Sequence, residues 1–437
     1  METLKKLAPF MLKSRVVEVG RDRLHQIRKQ LAFLLITTDL SGNSRDAVLR
    51  DFPCPIYQCL TSADIEVIFG FHGTKIIGFH RSPLATSVLP DLRMHLLDKE
   101  ALKNAPAPLP ASPKVAILGA SGIGRHHANW WNLEGAQPVA FLGSTPASVS
   151  ATAELLSSSF SIHPKGYTDL QALLEETQPD IVDVCLPPAL HYQATKTALE
   201  AGCNVLCEKP FVYDDNLEHE QMLAQVKELE EMALAKRKML GVCTQYIMAE
   251  QECLSIFSKH TKLEKPEHFQ GTLVSPTRNR PPVPHWTWVD LSPHMLAVAQ
   301  ALSHNGRINW KTLKTEFTGH QARALFDCER RDGSLLHCDI LTLHRDEEPK
   351  NVRQITIDGN TFDIGGYKDE KGVFNMRIST PWGSVDREDM LRLLIRSYIK
   401  GKIEMTAPMA RRNLEWMLYI IRAGVRGQQP PIVRKAP

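Results

Sequence analysis

The run Gly119-Ala120-Ser121-Gly122-Ile123-Gly124 is the first place where residue types and spacing could do chemistry. It follows an apolar stretch and opens a segment of helical character. Small residues at such a turn let backbone N–H groups and a helix N-terminus approach a pyrophosphate. The strict G-x-G-x-x-G pattern wants glycine where Ser121 stands, and the motif gains its meaning only from a strand–turn–helix context. A tight βα turn that holds no ligand is the bland alternative. Sites that take NAD usually carry a carboxylate about 20 residues on, against the ribose 2′-OH. Here that region reads Phe141-Leu142-Gly143-Ser144-Thr145, without a carboxylate. A 2′-phosphate would meet no acidic repulsion and could accept hydrogen bonds from Ser144 and Thr145, so NADP is preferred over NAD.

The elements that must position this turn follow from hydrophobic periodicity. Residues 115–118, 139–142, 181–186, 204–207 and 240–244 read as strands, with helices at 122–133, 146–159, 169–176, 188–201 and 216–238. Repeated βα units with central apolar strands specify a mostly parallel, doubly wound sheet. Beyond about residue 245, strands at 269–274, 314–318, 334–343, 354–357 and 361–364 follow one another, with helices at 290–302, 389–400 and 409–425. That succession implies an α+β domain with a largely antiparallel sheet. Upstream, shorter strands (16–19, 32–37, 56–59, 75–79) and helices (21–30, 46–52, 62–69) imply a small α/β/α sandwich. Between them Asn104-Ala105-Pro106-Ala107-Pro108-Leu109-Pro110-Ala111-Ser112-Pro113 favours an extended spacer. The expected organisation is α/β: an accessory domain at 1–103, a linker at 104–113, a Rossmann domain at 114–244 and a C-terminal domain at 245–437.

A second constellation ends a buried strand: Asn204-Val205-Leu206-Cys207-Glu208-Lys209-Pro210. Before it come Leu186-Pro187-Pro188, His191 and Ala198-Leu199-Glu200-Ala201-Gly202. Far downstream, Asp290-Leu291-Ser292-Pro293-His294 places a carboxylate and an imidazole four apart, on one helix face. With the glycine turn, these motifs resemble the glucose–fructose oxidoreductase / inositol dehydrogenase / MocA family (Gfo/Idh/MocA) over about residues 114–425. The resemblance implies cofactor contacts from Gly119, Ser121, Gly122, Ile123, Gly124, Leu186, Pro187, Pro188, His191, Glu208 and Lys209. It implies a cis Lys209–Pro210 peptide and an Asp-x-x-x-His at the start of a helix. It also implies catalytic roles for Lys209, Asp290 and His294. A neutral imidazole suits a general base, a lysine cation a developing alkoxide, and an aspartate the orientation of both. Taken singly, Lys209 is a strand-end lysine, Asp290 an N-cap and His294 a satisfied histidine; their joint occurrence favours catalysis. Ala297 stands where many relatives carry another Asp.

Substrate-side candidates are Gln245 and Tyr246 after the last Rossmann strand, and Trp286 and Trp288, which could stack on a sugar ring or pack at a domain interface. Arg278 and Arg280 could hold a carboxylate or phosphate. A second tripeptide, Glu264-Lys265-Pro266, lacks the preceding strand and reads as a loop.

Charge and composition narrow the class. Of 437 residues, 43% are hydrophobic and 23% charged, and the net charge of +3 demands neither nucleic acid nor an anionic membrane. The longest strongly apolar run is about ten residues, short of the roughly 20 a membrane span needs, and the first residues lack a secretory pattern. Nine cysteines without a C-x-x-C pair argue for free thiols in a reducing, cytoplasmic compartment and against a metal site. The first 103 residues resemble the ribosomal-protein fold that binds RNA kink-turns, carried by strand 32–37, the turn at Asp39-Leu40-Ser41-Gly42-Asn43-Ser44-Arg45, and Gly70 with Gly73-Thr74-Lys75. A net charge of +4 there, with one arginine in the turn, is thin for phosphate contacts, so an accessory role is favoured over RNA binding. The resemblance to the Gfo/Idh/MocA family also implies a homo-oligomer, dimer or tetramer, through the open face of the C-terminal sheet. The expected function is hydride transfer between NADP or NAD and a secondary alcohol or ketone of a sugar-like or cyclic polyol. The rival is a non-catalytic cofactor sensor of the same fold.

Overall fold

The computed structural model describes residues 2–92, 95–97, 106–262, 265–370 and 372–426. Asn104 and Ala105 of the expected linker, Glu264 of the second tripeptide and the last eleven residues of the C-terminal domain lie outside the described residues. The chain divides into two compact units, Met1–Ala105 and Pro106–Pro437. The Rossmann and C-terminal regions expected as separate domains therefore share one unit.

In the first unit, β1 (Val17–Val19), β2 (Leu31–Ile36), β3 (Ile56–Gln58) and β4 (Ile76–His80) form a mixed sheet of order β1-β4-β2-β3. Alternation along β2 sends Phe33 and Leu35 to one apolar cluster and Leu34 and Ile36 to another, so each face is buried by helices. One of those helices, Glu2–Lys13, was absent from the sequence reading; it buries Leu4, Ala8 and Met11. Helix Ser62–Phe69 has the ends its sequence asks for: a Thr61–Asp64 capping box and Gly70 at φ 75°.

The second unit opens with β5 (Lys114–Leu118), β6 (Gln137–Leu142), β7 (Lys165–Tyr167), β8 (Ile181–Val184), β9 (Asn204–Glu208) and β10 (Leu240–Cys243). All pairings are parallel, in the order β10-β9-β8-β5-β6-β7. The strand order reverses between β5 and β8, and ligands of open α/β sheets sit in the crevice beyond the strand ends at that point. Strands β8, β9 and β10 are buried along their whole length. The helix expected at 188–201 is a 3-10 turn, Pro188–Leu190, followed by helix His191–Glu200.

Eight strands follow: β11 (His268–Ser275), β12 (Arg307–Thr318), β13 (Gln321–Glu329), β14 (Leu335–His344), β15 (Val352–Ile357), β16 (Asn360–Lys368), β17 (Phe374–Thr380) and β18 (Gly383–Glu388). They form one sheet of order β12-β13-β14-β11-β15-β16-β17-β18, antiparallel except for the β11–β14 pair. Strands β13, β17 and β18 and the helix Tyr246–His260 were absent from the sequence reading. One face packs on helix Pro284–Leu302. The other carries cross-strand polar pairs: Arg323 with Asp339, Gln354 with Asp363 and Thr356 with Thr361.

The helix expected at 290–302 begins earlier, at Pro284, with Val283 as its N-cap. Asp290 is therefore an interior residue of that helix and not its N-cap. Proline in the first turn explains the early start, because its fixed φ and missing N–H suit that position.

Candidate active site

The glycine turn is built so that backbone meets backbone. A Cβ on Gly119, at φ 88°, would lie 2.7 Å from the Cys185 carbonyl oxygen, and one on Gly124 2.3 Å from that of Gly119. Gly122 faces open space, with nothing within 4 Å of a Cβ there. Helix Gly124–Leu133 starts at this point, so its positive end points at the turn. The cradle fits the pyrophosphate of a dinucleotide.

Next to it, the ends of β8 and β9 are joined by His191. Its Nδ1 lies 2.8 Å from the Pro210 carbonyl oxygen and its Nε2 2.7 Å from that of Leu186. The ring is buried and does not line the cavity, so His191 braces the two segments that do. The Lys209–Pro210 peptide is cis, as the resemblance implied.

Lys209 Nζ donates to Asp290 Oδ1 at 3.0 Å and to the Asp290 carbonyl at 2.6 Å. Arg280 Nη1 donates to Asp290 Oδ2 at 2.6 Å, and His344 Nε2 lies 3.2 Å from that oxygen and 2.9 Å from Arg280 Nη1. Burial opposes the charge on Asp290, but the Lys209 cation, the His344 contact and the Arg280 cation hold its carboxyl far below the usual carboxylate range. Lys209 is likewise disfavoured by burial yet held above its ordinary value by Asp290 and Glu208. One turn along the helix, His294 is 7% exposed, its ring centroid 4.9 Å from that of Tyr246. Its Nδ1 has no hydrogen-bond partner among the described residues. Burial, then the Lys209 cation, push His294 down to about 3, so it is neutral at physiological pH.

These groups open on a cavity of about 900 Å³. Its wall takes Ile123 from the glycine turn, Leu186, Pro187 and Pro188 after β8, Glu208 at the end of β9 and Lys209 just after it. Gln245, Arg278, Arg280, Trp286, Asp290 and His294 close the other side. Two of the four substrate-side candidates, Gln245 and Trp286, are thus on the wall; Trp286 Nε1 donates to Asp215 at 2.9 Å. The other two are not. Tyr246 is buried behind His294, and Trp288 is wholly buried against Phe317, ring centroids 5.7 Å apart. Ser144 and Thr145 lie outside the wall. The Thr145 hydroxyl accepts from Ser148 N at 3.1 Å as N-cap of helix Pro146–Phe160, and Ser144 is exposed. His344 was missed in the sequence: it ends β14, 54 residues from the Asp290 it touches, and no motif carries it.

Residues 113–243 match the oxidoreductase family with an NAD-binding Rossmann fold. Among curated proteins, D-glucoside 3-dehydrogenase of Escherichia coli K12 is 37% identical over 99 residues, 22% of this chain and 27% of that protein. D-xylose 1-dehydrogenase (NADP+) of Hypocrea jecorina is 40% identical over 84 residues, 19% of each. The chain thus spans about a quarter or less of the length of these curated relatives. Among solved structures, an inositol dehydrogenase homolog from Azotobacter vinelandii, complexed with NADH and myo-inositol, is similar with a TM-score of 0.55 at 16% identity, covering 74% of this chain and 98% of that one. UDP-N-acetylglucosamine 3-dehydrogenase from Acidithiobacillus ferrooxidans gives 0.54 at 16%, covering 73% and 99%. At these identities the likeness is one of fold.

Proposed function

We propose, from the premise that residues 113–243 belong to the NAD-binding Rossmann oxidoreductase family (Gfo/Idh/MocA), that the protein is an NAD(P)-dependent dehydrogenase. It acts on a secondary alcohol, or the matching ketone, of a sugar-like or cyclic polyol. The observation that carries this reading is the meeting of Lys209, Asp290 and His294 on one cavity whose opposite wall is the strand-end crevice.

The turn from Gly119 to Gly124, Leu186-Pro187-Pro188 and Glu208 are the residues that would hold the dinucleotide. What a bound nicotinamide supplies is the hydride acceptor or donor. The protein supplies the rest. His294, neutral and partly unpartnered, takes the hydroxyl proton of an alcohol or returns it to a ketone oxygen. The Lys209 ammonium stabilises negative charge developing on that oxygen. Asp290, pinned between Lys209 and Arg280, is too stabilised as an anion to move a proton; it anchors the lysine. Gln245 and Trp286 are assigned to substrate, whereas Tyr246 backs His294 and Trp288 belongs to the core. NADP is preferred on the absence of a carboxylate after β6. A cytoplasmic setting is supported by nine free cysteines, eight of them buried, and no described helix is long and apolar enough to cross a membrane. Association through the C-terminal sheet would have to occur across its polar, ion-paired face.

The test is a fluorescence titration with NADPH and NADH, followed by a turnover screen of sugars and polyols with the tighter cofactor. Saturable binding and turnover that Lys209→Met abolishes sustain the proposal. Binding without turnover on any polyol shifts the reading to a cofactor sensor, and no binding at millimolar concentration refutes both.

A further inference from the structure

Beneath the Glu208-Lys209-Pro210 turn lies a group of buried charges that no sequence motif announces. His127, on helix Gly124–Leu133, is wholly buried. Its Nδ1 is 2.8 Å from Asp183 Oδ2, and its Nε2 is 3.1 Å from Glu208 Oε1. Asp183 Oδ2 also accepts from Trp131 Nε1 at 2.6 Å, and Asp183 Oδ1 from the Cys185 thiol at 3.6 Å. The second oxygen of Glu208 accepts from the Lys209 backbone N–H at 3.0 Å.

The protons can be placed from these contacts. Both carboxylates already receive donors elsewhere, which is how ionised carboxylates behave. A ring with a carboxylate oxygen against each nitrogen then carries a proton on each, and is an imidazolium. Burial works against that charge, but the Asp183 carboxylate beside it holds the imidazole well above its ordinary range. Burial also raises Glu208, yet the His127 hydrogen bond and charge, with Lys209, bring its carboxyl down to about 2. The other titratable groups facing this cluster are the Cys185, Cys207 and Cys243 thiols, Lys209, and, at longer range, His191, Asp389, His294 and Tyr398. The thiols are pushed up by burial and stay neutral.

Three elements therefore meet on one ring: the helix that begins at the glycine turn, the end of β8 and the end of β9. We propose that His127 is a positioning residue: as an imidazolium clamped between Asp183 and Glu208, it fixes the Glu208 carboxylate, whose hydrogen bond to the Lys209 N–H sets the backbone from which the ammonium reaches Asp290. His191 holds the far side of the same turn through the Pro210 carbonyl. This role rests on the reading of Lys209 as the cation of a hydride-transfer site.

Two measurements test it. Nitrogen NMR of histidine-labelled wild-type protein, with His127→Gln to assign the resonance, reads the charge directly. Both ring nitrogens stay protonated through pH 8 if the clamp is ionic, and a neutral ring at pH 7 overturns the proposal whether or not any substrate is turned over. The second is steady-state kinetics on the alcohol that wild type oxidises. Folded His127→Gln should lose at least tenfold in kcat while the Kd of the cofactor that wild type binds more tightly and the substrate KM stay within about twofold; an unchanged kcat overturns the proposal. Should His127→Gln fail to fold, Glu208→Gln, which keeps an acceptor for the Lys209 N–H, is compared with Glu208→Ala. The glutamine variant must retain the higher kcat, and equal values overturn the proposal. A wild-type protein that binds neither NADPH nor NADH strikes the oxidoreductase reading and leaves the NMR result standing.

Discussion

Of the buried histidines around the Lys209 turn, His127 and His294 are driven by their surroundings to opposite charge states. His127 lies below the turn with a carboxylate against each nitrogen and is held as a cation. His294 lies across the cavity, where the charge that acts on it most is the Lys209 cation and Nδ1 meets no partner among the described residues; it is held neutral. Burial penalises the charge on both. The charge of their neighbours is what separates them: carboxylates raise His127 and the Lys209 cation lowers His294. A ring satisfied at both ends is fixed and can only hold its neighbours in place, whereas one left open is free to exchange a proton with whatever enters the cavity.

The largest effect should come from the residue between them. Lys209→Met removes the cation that anchors Asp290, depresses His294 and faces the reacting oxygen. Turnover should fall about 10³-fold, the upper end for loss of one stabilising donor. Cofactor affinity should change little. The same variant should raise the His294 pKa, seen by NMR, and a His294 unmoved by it breaks the electrostatic half of the comparison.

The two histidines should then fail in different currencies. His127→Ala leaves Asp183 and Glu208 buried without their shared cation, and breaking a buried ion pair from one side costs about 3–5 kcal/mol. Urea unfolding measures it. His294→Ala should lower kcat about 10²-fold, a usual share for a general base, with an unfolding midpoint near wild type. Comparable stability losses in both variants would erase the distinction between clamp and base.

Their pH signatures should also be opposite. His294 has a folded pKa near 3 against about 6.5 unfolded, so between those values the unfolded chain binds more protons. Its contribution to stability is complete above pH 6.5 and is lost as pH falls. Between pH 6.5 and 4.5 it amounts to about 2–3 kcal/mol. Asp290 and Glu208, also depressed, act the same way only below about pH 4.5, where their unfolded forms titrate. His127 has a raised folded pKa, so its contribution is complete below pH 6.5 and is lost as pH climbs through that higher value. Acid tolerance should improve in His294→Ala, and the alkaline limb should flatten in His127→Gln.

How much of this was legible in the chain depends on how far apart the partners lie. The glycine turn announces itself because its chemistry is contained in six consecutive residues. The Asp290–His294 pair is visible for the same reason, although the helix start was misplaced because the signal at Pro284 was passed over. With that start recognised, the wall could be read further: Trp286, Asp290 and His294 fall four residues apart on one helix face, whereas Trp288 is turned away. The His127 cluster shows the opposite case. Its partners Asp183 and Glu208 are 56 and 81 residues away on two different strands, and only the parallel register of β8 and β9 brings them together. Strand β13 is buried at every second residue, but Leu325 puts an apolar side chain on its open face and interrupts the apolar–polar alternation that marks a half-buried strand.

The smallest effect tests the same contrast between satisfied and open groups at the end of β6. Thr145 resembles His127 in being committed, its oxygen accepting the Ser148 N–H that caps the following helix. Ser144 resembles His294 in being nearly free, exposed with only a 3.4 Å contact to Ser148 Oγ. If NADP is the cofactor, Ser144→Ala should weaken NADPH binding about three- to tenfold, the net worth of one ordinary hydrogen bond, and leave NADH unchanged. Thr145→Ala should instead cost about 1 kcal/mol of stability through the lost cap, with a smaller effect on the NADPH to NADH ratio. Ser144→Asp would place a carboxylate where the 2′-phosphate is expected and should reverse the preference. A Ser144→Asp variant that still binds NADPH as tightly as wild type would mean that the end of β6 takes no part in choosing the cofactor.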